Sequence, residues 1–361
     1  MKTTMLCTVG ISMKYEKFGH SIDEIVTNML KYDPITTRDL GAEINSIASI
    51  LEREALDARK RLIFLVSDTD TARIIGEILE KYFKRHPELS FSNVQKDVIE
   101  SLNDENPNEF KQRGLRNLVR EIGKYIKEYQ HELIINATGG YKAQIAFALA
   151  LGQAVGVPVY YRFERFEHVI ELPPLPLSLD ISFWLEYNNA FEELRTNPII
   201  EEKEFEKLVG VPYAQLDQKL KMLIDREKIN GKNYISLNPM GMVFVQAVDI
   251  KAYTYELPQS DVPPEKRLQY SAKESNSIKF LEKHKANIMK IITADFVTRV
   301  IVSGYSSKYD KPGVRVKQAG DIIKVSYSAK GGTLHMKVQT TARNNDELGI
   351  AVKKLQDLMF Q

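Results

Sequence analysis

Arg315 and Lys317 stand two apart in the apolar run Val314 to Gln318, Lys324 lies in the next run, Ile322 to Ser328, and Arg343 follows the one after, Thr333 to Thr340. Residues two apart on a strand leave the same face of a sheet, so these cations can converge on one patch. Such a patch can hold a phosphodiester in line and stabilise the charge that grows at phosphorus when an RNA 2′-hydroxyl attacks it, with no metal required. Arginine suits this work because its planar fork grips two phosphate oxygens. A lysine can take a proton there only if neighbouring cations lower its pKa. The plainer alternative is the solvated face of an antiparallel sheet with ordinary surface cations.

A second constellation lies in the first half: Asn136-Ala137-Thr138-Gly139-Gly140-Tyr141-Lys142. Gly139-Gly140 lets backbone approach a ligand closely, and a helix beginning near Tyr141 aims unpaired N–H groups at the same spot, with Lys142 as a mobile cation. The pattern is neither a P-loop nor a G-x-G-x-x-G, and a plain strand-to-helix turn explains it equally well.

The elements that must position these residues follow from periodicity. Apolar runs at Thr4 to Val9, Arg61 to Val66 and Glu132 to Ile135 alternate with amphipathic stretches such as Ser21 to Lys31 and Gly41 to Arg59. That alternation predicts β/α units around a parallel sheet. Ligands then sit beyond the carboxyl ends of the strands, which brings in Thr8, Gly10 and Ser12 after the first run and Ser67, Asp68 and Thr69 after the second. Glu201 to Val209, a turn at Gly210 to Pro212, Tyr213 to Glu227 and a hairpin through Gly231 to Leu237 predict helix, turn, helix and wing. Pro258 to Pro264 reads as a linker. Beyond it come a strand-like Leu268 to Ala272, a helical region from Ser277 to Val302, a loop at 303–313, the three strands already named and a helix from Asp346 to Leu358, a β-α-β-β-β-α unit.

Charge separates the two ends. The 361 residues carry a net +2, yet Lys266 to Gln361 holds 18 Lys and Arg against 8 Asp and Glu, leaving 32 against 40 for the rest. A concentrated positive field is the usual footprint of a phosphate-backbone partner. The single cysteine, Cys7, excludes an intrachain disulfide or Cys-based zinc site and fits a reducing cytoplasm. No apolar run approaches the roughly 18 residues that span a bilayer, so no membrane partner is expected.

Residues 1 to about 180 resemble the CRISPR-associated Rossmann fold (CARF) domains, through the Thr8 to Ser12 loop, the Thr138 to Lys142 turn, and the Tyr160 to Glu164 strand continuing to Ile170 to Leu175. The resemblance implies a homodimer holding one cyclic oligoadenylate, the tetra-adenylate, between two such domains, with Ser12, Gly140 and Lys142 at phosphates and ribose. Some relatives also cut the ring slowly, which would fall to Ser12 and Lys142. The segment 266–361 resembles the core of RelE-type toxins, ribosome-dependent mRNA interferases, in the order Arg315-Val316-Lys317, Gly320 to Tyr327, Gly332 to Val338, Arg343. It implies that Arg315, Lys317, Lys324 and Arg343 are catalytic on ribosome-bound mRNA. Lys324 stands where the family has an arginine, and the C-terminal tyrosine of some members has no equivalent, so Tyr327 or His335 is open as a substitute.

The expected organisation is an α/β Rossmann-like CARF sensor over 1–182, a winged-helix connector over 183–257, a linker over 258–265 and a small α+β RelE-like ribonuclease over 266–361. The order resembles that of the CRISPR-Cas-associated mRNA interferases. Two alternatives stay open: a ligand-controlled transcription regulator using the winged helix, whose second helix offers Tyr213, Gln215 and Gln218 but stands in an acidic neighbourhood, and a metal-dependent nuclease, for which Asp321 with Lys324 lacks a second acid.

Overall fold

The computed structural model describes the chain apart from residues 164, 165, 167, 173–178, 272–274, 309–311 and 361. It folds as two units, Met1–Leu179 with Asn238–Ile250, and Asp180–Leu237 with Lys251–Gln361.

The first unit runs β1 (Thr4–Thr8), α1 (Ile22–Met29), α2 (Ala42–Glu52), β2 (Arg61–Ser67), α3 (Asp70–Arg85), β3 (Asn93–Ile99), α4 (Leu115–Tyr129), β4 (Leu133–Asn136), α5 (Lys142–Val155), β5 (Val159–Tyr161) and β6 (Ile170–Leu172). The sheet has the order β3-β2-β1-β4-β5-β6, parallel from β3 through β5, with β6 antiparallel at its edge. Alternate residues serve opposite faces. Met5, Cys7, Phe64 and Val66 pack with α1, α2 and α3, whereas Leu6, Ile63, Leu65 and Ile135 pack with α4 and α5 and with Val243, Ala247 and Ile250. Each fully buried Leu, Ile or Phe contributes about 1.5–3 kcal/mol.

Because both faces are covered, β1, β2 and β4 appear in sequence as unbroken apolar runs. β3 escaped that signal because Gln95, Lys96 and Asp97 interrupt it at the sheet edge. α2 stops at Glu52, short of the expected Arg59, because Arg53 leaves helical geometry and Glu54 takes φ +54°. Residues Glu164 and 173–175 of the expected late strands lie outside the described residues.

The second unit begins with α6 (Ile181–Thr196), β7 (Ile200–Glu201), α7 (Glu202–Val209), α8 (Gln218–Lys221), β8 (Ile224–Ile229) and β9 (Lys232–Leu237). α9 (Pro239–Thr254) starts among first-unit residues and ends in the second. There follow β10 (Leu268–Tyr270), α10 (Ser275–Lys283), α11 (Lys285–Thr293), β11 (Val297–Ser306), β12 (Gly313–Ala319), β13 (Ile322–Ala329), β14 (Gly332–Thr340) and α12 (Asn345–Phe360). The strands form a three-stranded sheet, β7-β9-β8, and a five-stranded one, β10-β11-β14-β13-β12.

Three expectations are corrected here. The helix over Tyr213 to Glu227 does not form: a 3-10 turn at Tyr213–Gln215 ends at Leu216 in extended geometry, α8 is four residues long, and Ile224 already belongs to β8. A helix that short presents little to a DNA groove. The helical region from Ser277 to Val302 is two helices broken at His284 (φ −112°, ψ 24°), followed by a strand. The β-branched residues of Val297-Thr298-Arg299-Val300-Ile301-Val302 favour the pleated surface over a helix, and tertiary pairing with β14 completes it. Residues 303–306 of the expected loop therefore lie in β11, and 309–311 fall outside the described residues.

One face of the five-stranded sheet buries Val300, Val302, Val316, Ile323, Val325, Leu334, Met336 and Val338. α10, α11 and α12 pack against strands of this sheet. On the strands, the positions that alternate with these carry the exposed cations.

Candidate functional site

The first unit reverses strand order between β1 and β4, and the loops after those two strands flank the crevice this opens. Thr8 donates its hydroxyl proton to the Gly139 carbonyl, joining the loops. Glu43, in the first turn of α2, accepts the Gly10 N–H at 2.8 Å. A Cβ at Gly139 would stand 2.1 Å from Glu43 Oε1 and 2.9 Å from the Thr8 carbonyl, and Gly140 holds φ +105°. Both glycines are therefore required by the junction itself.

Beneath them Gln144 accepts the Tyr141 N–H at 2.6 Å, and Asn136 donates to Ser46 Oγ at 2.8 Å. Glu43 is 1% exposed, and burial pushes its carboxyl up from the ordinary value, partly opposed by the Gly10 N–H. Among the described residues, Glu43 Oε2 and Gln144 Nε2 have no hydrogen-bond partner. Thr138 donates to Asn136 Oδ1 and accepts the Arg162 N–H. The Arg162 guanidinium clamps this end of the sheet by donating to the Asn45 and Ile35 carbonyls at 2.8 and 3.1 Å, and burial followed by nearby Arg38 lowers its pKa.

Of the sequence-selected residues, Thr8, Gly10, Thr138, Gly139 and Gly140 thus meet in one place. Ser12 and Lys142 are exposed at the same loops, Lys142 as the first residue of α5. Ser67, Asp68 and Thr69 follow the next strand and hold local structure: Ser67 is buried, Thr69 caps α3 by accepting the Ala72 N–H, and Asp68 accepts the Ser101 N–H and pairs with Arg73 at 2.6 Å. Those two partners, the Ser101 N–H first, hold the Asp68 carboxyl below its usual value. Glu43, Ser46 and Gln144 carried no sequence signal, because each lies in an ordinary helical stretch.

In the second unit, pairing places Lys317 opposite Lys324 and Lys324 opposite Lys337, a row of three ammonium groups across β12, β13 and β14. With strands about 4.8 Å apart the row spans about 10 Å. A second row, two residues along, reads Arg315, Ser326 and His335. Arg315, Lys317, Lys324 and Lys337 are exposed, and among the described residues none forms an ion pair. No Asp or Glu occurs within the four strands themselves, Asp321 standing in the turn between β12 and β13. Like charges directly opposite on a sheet destabilise it, so this row is a cost that folding alone does not call for. Lys337 carries no sequence signal because its partner strand, not its neighbours in sequence, puts it in the row.

Arg343 lies three residues past the end of β14, outside both rows. Its guanidinium donates to Glu347 Oε1 at 2.6 Å, its backbone N–H to Glu347 Oε2 at 2.8 Å, and the Tyr255 hydroxyl also donates to Glu347 at 2.7 Å. Arg343 first, then Tyr255, holds the Glu347 carboxyl down at about 2. Lys251, Tyr255, Asn344, Asn345, Asp346 and Glu347 line a hollow of 390 Å³ there. Tyr327 is buried on the opposite face, its hydroxyl accepting from Asn287 and its ring against Phe280 and His284.

β12 is an edge strand, and Asn189 of α6 closes that edge, donating to the Val316 carbonyl at 2.9 Å and accepting the Val316 N–H at 3.3 Å. Val316 is the residue between Arg315 and Lys317, so a helix side chain fixes the strand that carries them. Among the described residues no group of three His, Cys, Asp or Glu is placed to hold a metal ion, and no helix is long and apolar enough to cross a membrane.

Residues 38–175 match a protein-family model described as CRISPR-associated protein (Cas_APE2256). That span contains α2 with Glu43, the loops after β2 and β4, and Lys142. Among solved structures, Can2 from Sulfobacillus thermosulfidooxidans in complex with cyclic tetra-adenylate is 8% identical, covering 94% of this chain and 74% of that one, with a TM-score of 0.26. Csm6 from Enterococcus italicus, bound to cyclic hexa-2′-fluoro-hexa-dAMP, is 11% identical over 58% of this chain and 49% of its own, TM-score 0.30. Protein VC1899 from Vibrio cholerae is 8% identical, covering 94% and 77%, TM-score 0.26. Superpositions this loose transfer neither ligand nor chemistry to this chain.

Proposed function

We propose that this protein is a CRISPR accessory effector in which a cyclic oligoadenylate, the tetra-adenylate, activates a metal-independent endoribonuclease acting on ribosome-bound mRNA. The sensor is the CARF-type first unit working as a homodimer, with Ser12, Gly140 and Lys142 at the ring's phosphates and ribose. The region of β7 to β9 is a winged-helix connector, and the five-stranded sheet with its helices is the RelE-like ribonuclease. The observation that carries this reading is the carboxylate-free face bearing Arg315, Lys317, Lys324 and Lys337, in a chain whose other unit matches a CRISPR-associated family.

Arg315 grips the scissile phosphate and stabilises its developing charge, Lys317 and Lys324 add to that field, and Arg343 contributes from the neighbouring hollow once released from Glu347. Activation requires the ring to bind the active arrangement more tightly than the idle one, by roughly 1–3 kcal/mol for a typical coupling. Helix α9, whose Val243, Ala247 and Ile250 belong to the sensor core and which Tyr255 follows directly, is a continuous element along which such a bias can act.

The test is a translation assay with chelator present, with and without cyclic tetra-adenylate, mapping RNA ends on ribosomes and on naked message. Ring-dependent cuts confined to ribosome-bound message are expected. Absence of cuts with every ring size tried overturns the proposal.

A further inference from the structure

We propose that His335, oriented by Ser326, is a proton-transfer group of the cation face; this rests on the ribonuclease reading above. Cleavage through the 2′-hydroxyl forms a bond from O2′ to phosphorus and breaks the bond from phosphorus to O5′. One proton leaves O2′ for a base and one arrives at O5′ from an acid, giving a 2′,3′-cyclic phosphate and a 5′-hydroxyl with no further reactant. Guanidinium and ammonium groups serve the charge at phosphorus well but are poor at both transfers unless their pKa values are strongly displaced.

The sequence leaves Tyr327 and His335 open as the missing group, and the fold separates them. Tyr327 faces the buried side, enclosed by Phe280, His284 and Asn287. His335 is half-buried on the other face, directly opposite Ser326 in the β13–β14 ladder. Its Nδ1 lies 3.0 Å from Ser326 Oγ, which fixes the ring and leaves Nε2 for a substrate. Arg315 stands on the far side of Ser326, and Lys324 and Lys337 lie two residues along their strands. Among the described residues, the other charged or polar groups on this face are Lys317 on β12, Ser328 on β13, Thr333 and Gln339 on its own strand, and Arg299, Ser303 and Ser306 on β11, whose Ser303 hydroxyl donates to the His335 carbonyl at 3.1 Å. With no carboxylate within these strands, the imidazole is the side chain there best suited both to take and to give a proton.

The experiment measures single-turnover cleavage by the ring-activated full chain as a function of pH for wild type, His335→Gln, Ser326→Ala and Arg315→Ala, with RNA binding and thermal melts in parallel. His335→Gln should melt and bind RNA as wild type does, cut slower by a factor of about 10²–10⁴, and lose one limb of the pH–rate profile. Loss of the acidic limb identifies the base and loss of the alkaline limb the acid. Ser326→Ala should retain both limbs with a smaller rate loss, the mark of a positioning residue. A His335→Gln protein that cuts within threefold of wild type, or whose profile keeps both limbs, overturns the proposal. If Arg315→Ala is inactive in that case, only the role of His335 fails; if Arg315→Ala also cuts normally, the ribonuclease assignment of this face fails with it.

Discussion

At the ends of β1 and β4 the polar side chains are buried and tied to one another, whereas on the face of β12 to β14 the cations are exposed and, among the described residues, unpaired. The first arrangement builds a rigid floor from Thr8, Glu43, Ser46, Asn136 and Gln144, with Ser12 and Lys142 reaching outward. The second keeps its cations in water, where their stems are held by strand pairing and their heads are free to meet a phosphate. A recognition loop gains from being over-determined, because rigid backbone loses little entropy on binding. A polyanion surface gains from unpaired charge, because its partner brings the counter-charge.

The strongest way to break this contrast is at the cations. Arg315→Ala should lower ring-activated cleavage about 10²–10³-fold, equivalent to roughly 2.7–4 kcal/mol, while leaving the melting temperature and ring binding unchanged. Rapid-quench cleavage and calorimetry decide it, and a large loss of stability would show that these residues serve the fold after all. Gly139→Ala should do the reverse, destabilising the first unit by about 1–3 kcal/mol because the new methyl meets Glu43 and Thr8, as read by urea unfolding.

Lys142→Ala should weaken ring binding by roughly tenfold, about 1.4 kcal/mol, with no change in stability. Unchanged affinity by calorimetry would remove Lys142 from the site.

The smallest effects come through pH, since buried Glu43 beneath the sensor loops and buried Glu347 beside Arg343 are shifted in opposite directions. Glu347 is held at about 2 against an ordinary 4.5, so its contribution is complete above pH 4.5 and disappears as pH falls toward 2. Glu43 is shifted up, so the folded state holds its proton longer and stability declines as pH rises through 4.5. Melts of Glu347→Gln and Glu43→Gln against wild type across this range should show the acid loss removed in the first variant and the decline with rising pH removed in the second. Slopes identical to wild type would refute both.

How much was legible depended on which physical rule placed a residue. β1, β2 and β4 were visible because strands covered on both faces are continuous apolar runs, and β12 to β14 because a half-solvated sheet alternates strictly. β11 reads as helix in the sequence because Ser277 to Val302 has no turn signal before its strand begins, and β3 is hidden because its middle is polar. The Tyr213 to Glu227 stretch leaves helical geometry at Leu216, and from Ile224 onward pairing of β8 with β9 outweighs local periodicity. Arg315, Lys317 and Lys324 could be grouped in advance, since a two-residue period and short turns fix their face. Lys337 and the Ser326–His335 pair could not, because they depend on register.

The alternation of strands and helices in the first half, the Gly139-Gly140 turn after a strand, the charge separation and the shared face of Arg315 and Lys317 are legible in the residues alone, because backbone geometry and solvation set them within a few positions. Packing and register, by contrast, bring Glu43 onto the sensor loops, align Lys317, Lys324 and Lys337, turn Tyr327 inward and His335 to the other face, and set Asn189 on Val316. These pairs lie from 7 to 127 residues apart, and burial and hydrogen-bond satisfaction across such separations are fixed by packing, which no local pattern encodes.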